Sequence, residues 1–473
     1  MKQILIIVVF GISVISCNSK IDNKPQKTAD ERSEILDSLF QKAHEDGTFN
    51  GNVLIADKGN IIFDNSYGLA NETTKEVLGS NTIFNLASLS KQFTALGIVL
   101  LQKDGKLDYE DDFTKYIPEL KAYEGITLLD LLVHRSGLPD YMELADTQKI
   151  KPKKLSNEEA IQLMADKNPQ TRFPTGERFQ YSNTGYLLLA SIIERVSGKT
   201  YAEFLEENIF EPANMGDTYV TGYEGSKLEN AEVATGYIAT DSLGQKITAD
   251  DMGDGFFMVF LNGIYGDGGI NSTTHDLLKW DRWLYTNNRL NDEDKAKIFS
   301  SYPTDSNQTN YGFGWNVRAT DDFGKKVYHS GNWRGFSTYI ERFIDHDKTI
   351  IILQNNALPK TLIPNKNARR ILFGLAVEKP IDLAPEIMDE YTGTYVDSNG
   401  NERNIVLEDG KLFVEFGPQR RQELVPIYEN KFILYGFSPE VTYTFERSED
   451  GPMQCQIQQL EHDVNISINR IEK

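Results

Sequence analysis

The apolar and polar positions along the chain fall into successive textures. An unbroken apolar run, "ILIIVVFGISVIS" from Ile4 to Ser16, opens it behind Lys2. It is too short to span a bilayer comfortably and has the shape of a secretory signal. "NSKIDNKPQKTADER" follows, without aromatic residues or periodicity, and predicts a flexible tether. Next, "NGNVLIADKGNIIFDNSYGLAN" alternates about an Asp57-Lys58-Gly59-Asn60 turn, the pattern of a β-hairpin. Three more strand-like runs, "KVYHSG", "FSTYIERFI" and "TIIILQNN", come much later. Between these groups helical periods dominate: "TALGIVLLQKDG", "TLLDLLVHRSG", "YLLLASIIERVSG" and "HDLLKWDRWLY", three of them closed by a glycine placed as a C-cap. Strands at both ends with helices in the middle predict an α/β fold: a sheet assembled from N- and C-terminal strands, an inserted helical lobe, and a cleft between the lobes.

Past "VEKPIDLAPE", Val377 to Glu386, where two prolines interrupt the pattern, only short alternating runs remain, with a hairpin turn at Asp409-Gly410 and no convincing helix. They predict a small all-β domain, a barrel or a sandwich. The expected organisation is a signal peptide over 1–16, a tether over 17–32, a main domain over 33–378 and an accessory β-domain over 385–473. A length of 473 residues suits two to three domains.

Composition narrows the classes. A formal charge of -21 lacks the basic footprint that phosphate backbones require, so nucleic acid is set aside as a partner. Of the two cysteines, Cys17 ends "VISC", which resembles a bacterial lipobox; cleavage before it leaves Cys17 to carry lipid. A plain signal peptide cut near "CNS" is the alternative. The expected location is then the cell envelope, exported and lipid-anchored. Cys455 remains alone, which excludes an intrachain disulfide in the mature form and suits a packing role. The six histidines are dispersed without HExxH or His-x-His spacing, so neither a metal nor a cofactor is expected. His134 sits at a predicted helix end, where capping the last carbonyls is the common role. Trp280, Trp283 and Trp315 are expected to pack the core. No GxSxG elbow is present.

"NLASLSK" holds the chain's only SxxK, Ser88 and Lys91, at the head of a helical pattern. Spacing of i, i+3 sets both side chains on one face. Alone, the pair reads equally as a capping serine with a solvated lysine. As chemistry, a partly desolvated lysine has a lowered pKa and takes the proton of a serine hydroxyl, while N–H groups at the helix start receive a developing oxyanion. Two further signals favour chemistry. "FPTGERFQYSNTGY" carries Tyr181 and Asn183 as YxN, and "VYHSGNWRGF" carries His329 and Gly331 as HxG, with Gly331 where a substrate backbone could approach closely.

These residues resemble the serine β-lactamase-related hydrolases, the group of class C β-lactamases, D-aminopeptidases, DD-carboxypeptidases and related esterases. SxxK, YxN and K/HxG stand in the family's order, and "ITLLDLLVHRSGLPDY", "GDGGINSTTHDLLKW" and "YGFGWNV" fit as well; the resemblance runs from about Asn50 to Asn356. It implies a β-lactamase/transpeptidase-like fold with an antiparallel sheet, Ser88 as acylated nucleophile, and Lys91 as its base or proton partner. Tyr181 would relay protons, and Asn183 would bind Lys91 and the substrate amide. The N–H groups of Ser88 and Asn332 would form the oxyanion hole. Whether Lys91 or Tyr181 is the acylation base stays open.

The chain departs from the KTG of classical β-lactamases at His329-Ser330-Gly331. Lysine there is a permanent cation for a substrate carboxylate, whereas histidine near pH 7 is mostly neutral. Amide or ester hydrolysis therefore ranks above β-lactamase or DD-carboxypeptidase activity, with a penicillin- or wall-peptide-binding protein that acylates without turnover as a further alternative. Arg334, five residues after His329, is a candidate to restore the missing charge and bind a carboxylate; a surface arginine on a turn is the competing reading. The expected partner is a small-molecule or peptide substrate, wall-derived peptides among them. The natural substrate and the oligomeric state stay open, because loops such as "TQKIKPKK" and "GYEGSKLENAEVATGYIATDS" follow no recognisable pattern.

Overall fold

The computed structural model describes residues 29–472 except 148–153, 222–231, 307–308, 321–322, 360, 418–420, 436–439, 448–450 and 460–463. The signal segment, Cys17, most of the tether and much of both unpatterned loops lie outside the described residues.

The main sheet is antiparallel. It holds β1 (Gly51–Asp57), β2 (Asn60–Tyr67), β3 (Asn316–Thr320), β4 (Gly324–Trp333), β5 (Phe336–Phe343) and β6 (Lys348–Gln354), in the order β3-β4-β5-β6-β1-β2. The two ends of the region meet where β1 pairs with β6, Val53 opposite Ile352 and Ile55 opposite Ile350. Both faces are covered. Val53, Ile55, Ile350 and Ile352 pack under α1 (Ala29–Glu45) and α5 (Asn365–Leu372), while Leu54, Ala56, Ile351 and Leu353 join the core of the helical lobe. That explains why "TIIIL" is continuously apolar rather than alternating.

The lobe is centred on α2 (Lys91–Lys103) against α3 (Asn183–Ser197), with α4 (Thr274–Thr286) covering the sheet beside them. Trp280 and Trp315 are fully buried and Trp283 nearly so, as core residues. Three local expectations change. The helix at 29–45 starts inside the segment read as tether, because Arg32 reaches Asp57 Oδ2 (3.1 Å) and the Leu372 carbonyl (3.2 Å) and ties the first turn to the sheet. "TLLDLLVHRSG" is helical only over Leu128–Leu132, opened by a Thr127–Asp130 capping box, and ends where His134 enters the left-handed region at φ 58°; Gly137 caps nothing there. A single helical turn, Pro385–Asp389, precedes the β-domain, started by a proline at its favoured first position.

The C-terminal domain is a closed eight-stranded antiparallel barrel in simple sequential order, β7 (Gly393–Asp397) to β14 (Val464–Glu472), the last strand pairing back with the first. Its own core includes Tyr395, Phe432, Tyr443, Phe445 and the fully buried Cys455. Closure removes the exposed edges an open sheet would carry. No helix among the described residues is long and apolar enough to cross a membrane.

Candidate active site

The cleft is built where α2 begins. Ser88 does not sit in the first turn of that helix; it lies in a 3₁₀ turn, Ala87–Ser90, that runs directly into Lys91. In a 3₁₀ turn side chains three apart eclipse, which stacks Lys91 on Ser88. The turn is fastened on several sides. Asn85 Oδ1 accepts from the Ala87 N–H (3.0 Å), the Leu86 N–H donates to the Ile270 carbonyl (2.8 Å), and the Thr338 hydroxyl donates to the Leu86 carbonyl (2.8 Å). Ala87 takes φ 50°, a left-handed conformation that costs a non-glycine residue about 1 kcal/mol or more and that these bonds hold in place.

β4 is paired with β3 only through Tyr328, so beyond it the β3-side edge of β4 faces the Ser88 turn, which packs there. Along this stretch His329 and Gly331 are buried while Ser330 and Asn332 are exposed. The close approach expected at Gly331 comes from the protein itself. A Cβ there would lie 2.4 Å from the Leu86 carbonyl oxygen, 2.4 Å from Thr338 Oγ1 and 3.0 Å from Ala87 Cβ. The glycine therefore seats the Ser88 turn against the strand, rather than making room for a substrate.

Lys91 is fully buried. Its Nζ lies 3.2 Å from Ser88 Oγ, 3.0 Å from Asn183 Oδ1 and 2.6 Å from the Asp267 carbonyl oxygen. Two of those partners can only accept, so two N–H bonds are committed to them and the remaining tetrahedral direction points at the serine hydroxyl. Burial lowers the amine to about 8, opposed by the negative charges of Asp267 and Asp140. At neutral pH about a tenth of the site then carries the free amine, roughly 300-fold more than an exposed lysine. Asn183 opens α3, capped by Ser182, whose hydroxyl accepts from the Gly185 N–H (3.3 Å).

Tyr181 lies over the same ammonium, its ring centroid 4.9 Å from Lys91 Nζ. The residue is 36% exposed. Its hydroxyl is nonetheless desolvated, which raises the phenol well above its ordinary value, against a hydrogen bond with Ser88 that lowers it. A shallow hollow beside it is lined by residues including Asp140, Arg172 and Gln180.

His329 is buried behind this surface. Its Nδ1 lies 2.6 Å from its neighbour's carbonyl oxygen on Ser330, and its Nε2 lies 2.8 Å from the Tyr311 hydroxyl. The carbonyl can only accept, so Nδ1–H donates to it and Nε2 accepts from Tyr311. Burial and the Lys91 charge push the imidazole down to about 3. It supplies no cation. Nor does Arg334 offer a free one. It sits at φ 48° in the tight turn between β4 and β5, and its guanidinium donates to Asp250 Oδ2 (2.7 Å) and the Met258 carbonyl (2.8 Å). The expectation of a free positive charge there is corrected by that pairing, which ties the turn to the 250–263 segment.

His134 caps no helix. Its Nδ1 accepts from the Ser182 N–H (3.0 Å), and its ring packs on Tyr181. Sequence reasoning missed Tyr311, the Asp267 carbonyl and Thr338 as parts of the site. The glycine-rich "GDGG" was the one local signal, since Gly266 and Gly269 take positive φ on either side of Asp267 and turn its carbonyl toward Lys91. Among the described residues no group of three or more His, Cys, Asp or Glu could hold a metal ion.

An antiparallel sheet, a helical lobe and a Ser–Lys pair at their junction define a β-lactamase/transpeptidase-like domain. Residues 36–373 match the model of the Beta-lactamase family, and the chain belongs to that family of serine hydrolases. It is 37% identical over 422 residues to Penicillin-binding protein 4* of Bacillus subtilis, covering 86% of this chain and 93% of the relative. Among solved structures, the octameric penicillin-binding protein homologue from Pyrococcus abyssi superposes with a TM-score of 0.64 at 24% identity, over 92% of this chain and 99% of that one. The D-amino acid amidase from Ochrobactrum anthropi shares the fold, with a TM-score of 0.60 at 22% identity over 73% of this chain and 98% of the amidase.

Proposed function

We propose that this protein is an exported, lipid-anchored serine hydrolase that cleaves an amide or ester, with D-amino amides and esters as the leading substrates, through an acyl intermediate on Ser88. The observation that carries the reading is the buried Lys91 amine 3.2 Å from Ser88 Oγ, with its other two N–H directions committed to acceptors. As Ser88 Oγ bonds to the substrate carbonyl carbon, its proton passes to Lys91 Nζ, and the oxyanion is received by the N–H groups of Ser88 and Asn332. Tyr181, a phenol held well above 10, stays protonated in the resting site. It therefore serves as the relay that hands a proton to the leaving nitrogen or oxygen, and Lys91 is the acylation base. Collapse of the tetrahedral intermediate expels that group, and water then attacks the Ser88 ester with the same pair taking its proton.

His329, neutral at working pH, and Arg334, paired with Asp250, do not supply on the HxG strand the cation that a lysine there would offer a β-lactam or a C-terminal carboxylate. The relative named for binding penicillin favours a second reading, acylation by β-lactams or D-alanyl peptides, with turnover or as a stoichiometric binder. Wild type and Ser88→Ala assayed on p-nitrophenyl esters, D-amino acid p-nitroanilides and nitrocefin separate these. The leading reading requires ester or anilide turnover above nitrocefin turnover, abolished by Ser88→Ala. Envelope anchoring rests on "VISC"; incorporation of a labelled fatty acid that Cys17→Ser abolishes supports it, and labelling that survives the change refutes it.

A further inference from the structure

The aromatic shell behind Tyr181 contains an imidazole the mechanism does not use. His134 is fully buried, adopts φ 58°, and grips the Tyr181 segment twice: its carbonyl accepts from the Gln180 N–H (2.9 Å) and its Nδ1 from the Ser182 N–H (3.0 Å). Between those two anchors, the rings of His134 and Tyr181 lie 4.3 Å apart at 36°. Tyr311 packs on the other imidazole contacts at 4.5 Å and Tyr186 at 5.1 Å. Because Nδ1 accepts, the ring hydrogen is on Nε2, and that buried atom has no hydrogen-bond partner. An unpaired buried N–H costs about 1–3 kcal/mol, so the arrangement persists only where other contacts demand it.

Resting on the proposed role of Tyr181 as proton relay, we infer that His134 is a positioning residue for that tyrosine, held as the permanently neutral Nε2–H tautomer and fixing both the register of residues 180–182 and the tilt of the phenol ring over Ser88 and Lys91. Protonation would set an Nδ1–H against the Ser182 N–H, so the clamp resists titration. The titratable groups around it are Tyr181, Tyr186 and Tyr311, with the Lys91 ammonium and the neutral His329 close enough to oppose a charge on it. Around Lys91 they are Asp267, Asp140, Tyr181 and Tyr186. The neighbouring His329 is fixed in the opposite tautomer, Nδ1–H, by the Ser330 carbonyl and Tyr311. Two neutral imidazoles of opposite tautomer, both packed on Tyr181 and Tyr311, are a signature no unspecific packing role requires.

The test has two arms. In the wild-type protein, nitrogen NMR with labelled histidine should give His134 as Nε2–H and His329 as Nδ1–H, neither titrating between pH 5 and 9; His134 found as Nδ1–H, or titrating near 6.5, overturns the inference. In kinetics, His134→Asn keeps an acceptor for the Ser182 N–H and tolerates positive φ but removes the ring. It should lower kcat on the turned-over ester roughly tenfold with KM within about twofold, since a small displacement of a proton-transfer group costs rate rather than binding. Its acid limb should move to higher pH as water reaches Lys91. His134→Phe, which keeps the ring and loses the acceptor, should lower kcat as well. Wild-type kcat and an unmoved pH profile in His134→Asn refute the inference, while Ser88→Ala run alongside reports separately on the acyl-serine reading; a variant that does not fold leaves the NMR arm to decide.

Discussion

Burying Lys91 has a cost that depends on pH, and this makes its lowered pKa measurable without any substrate. The folded amine titrates at about 8, against 10.5 in the unfolded chain. Between those values the unfolded chain binds more protons than the folded one, so stability rises with pH across the window and is lost again as pH falls toward 8. At about 1.4 kcal/mol per tenfold in proton affinity, the full gap is worth about 3 kcal/mol, most of which falls between pH 7 and pH 10. Lys91→Met keeps the length of the side chain and removes the titration. Urea unfolding of the two proteins at pH 7, 8, 9 and 10 cancels, in the difference, the titrating groups that Lys91 does not touch. Wild type should gain about 2–3 kcal/mol relative to Lys91→Met over that range. Parallel curves would mean that Lys91 titrates near its ordinary value in the folded protein, and the assignment of Lys91 as base would fall with them.

Gly331→Ala should lower kcat/KM by roughly 100-fold, since a Cβ 2.4 Å from the Leu86 carbonyl pushes the Ser88 turn off β4, while chemical denaturation registers a loss of only about 1–3 kcal/mol. Arg334→Ala should leave the ratio of KM values for carboxylate-bearing and neutral substrates unchanged, because the guanidinium is committed to Asp250; a selective rise for the carboxylate substrate would restore it as a binding residue. His329, folded at about 3 against 6.5 unfolded, stays neutral in the native state, so stability falls as pH drops from 6.5 toward 3 by about 1.4 kcal/mol per pH unit for that one group. His329→Gln should flatten the acid side of the stability profile by that amount, read by urea unfolding between pH 4 and 6.5.

What the sequence revealed follows from which interactions are local. β1, β2 and β4–β6 were legible because turn residues and apolar runs are contiguous, and the barrel strands lie in the alternating runs, with the Asp409-Gly410 turn read from sequence and the Glu429-Asn430 turn seen only in the structure. Residues 127–137 misled because a capping box followed by leucines has a helical period, whereas the termination is set by His134 reaching Ser182 across 48 residues. Ser88, Lys91, Tyr181 and Asn183 were visible through residue type and spacing, and the structure brings all four within one cleft. Tyr311 and Asp267 were not, since one contributes a hydroxyl to a buried histidine and the other a backbone carbonyl, and neither leaves a spacing rule. The pairing of Arg334 was not legible either, because its partner Asp250 lies 84 residues away.

The central claim is covalent chemistry at one hydroxyl. Wild-type protein mixed with an activated ester or amide, quenched in acid during turnover and digested, should give the peptide containing "NLASLSK" heavier by the acyl group, with the adduct on Ser88 and none in Ser88→Ala. An adduct on another residue, or undiminished turnover by Ser88→Ala, would contradict the account.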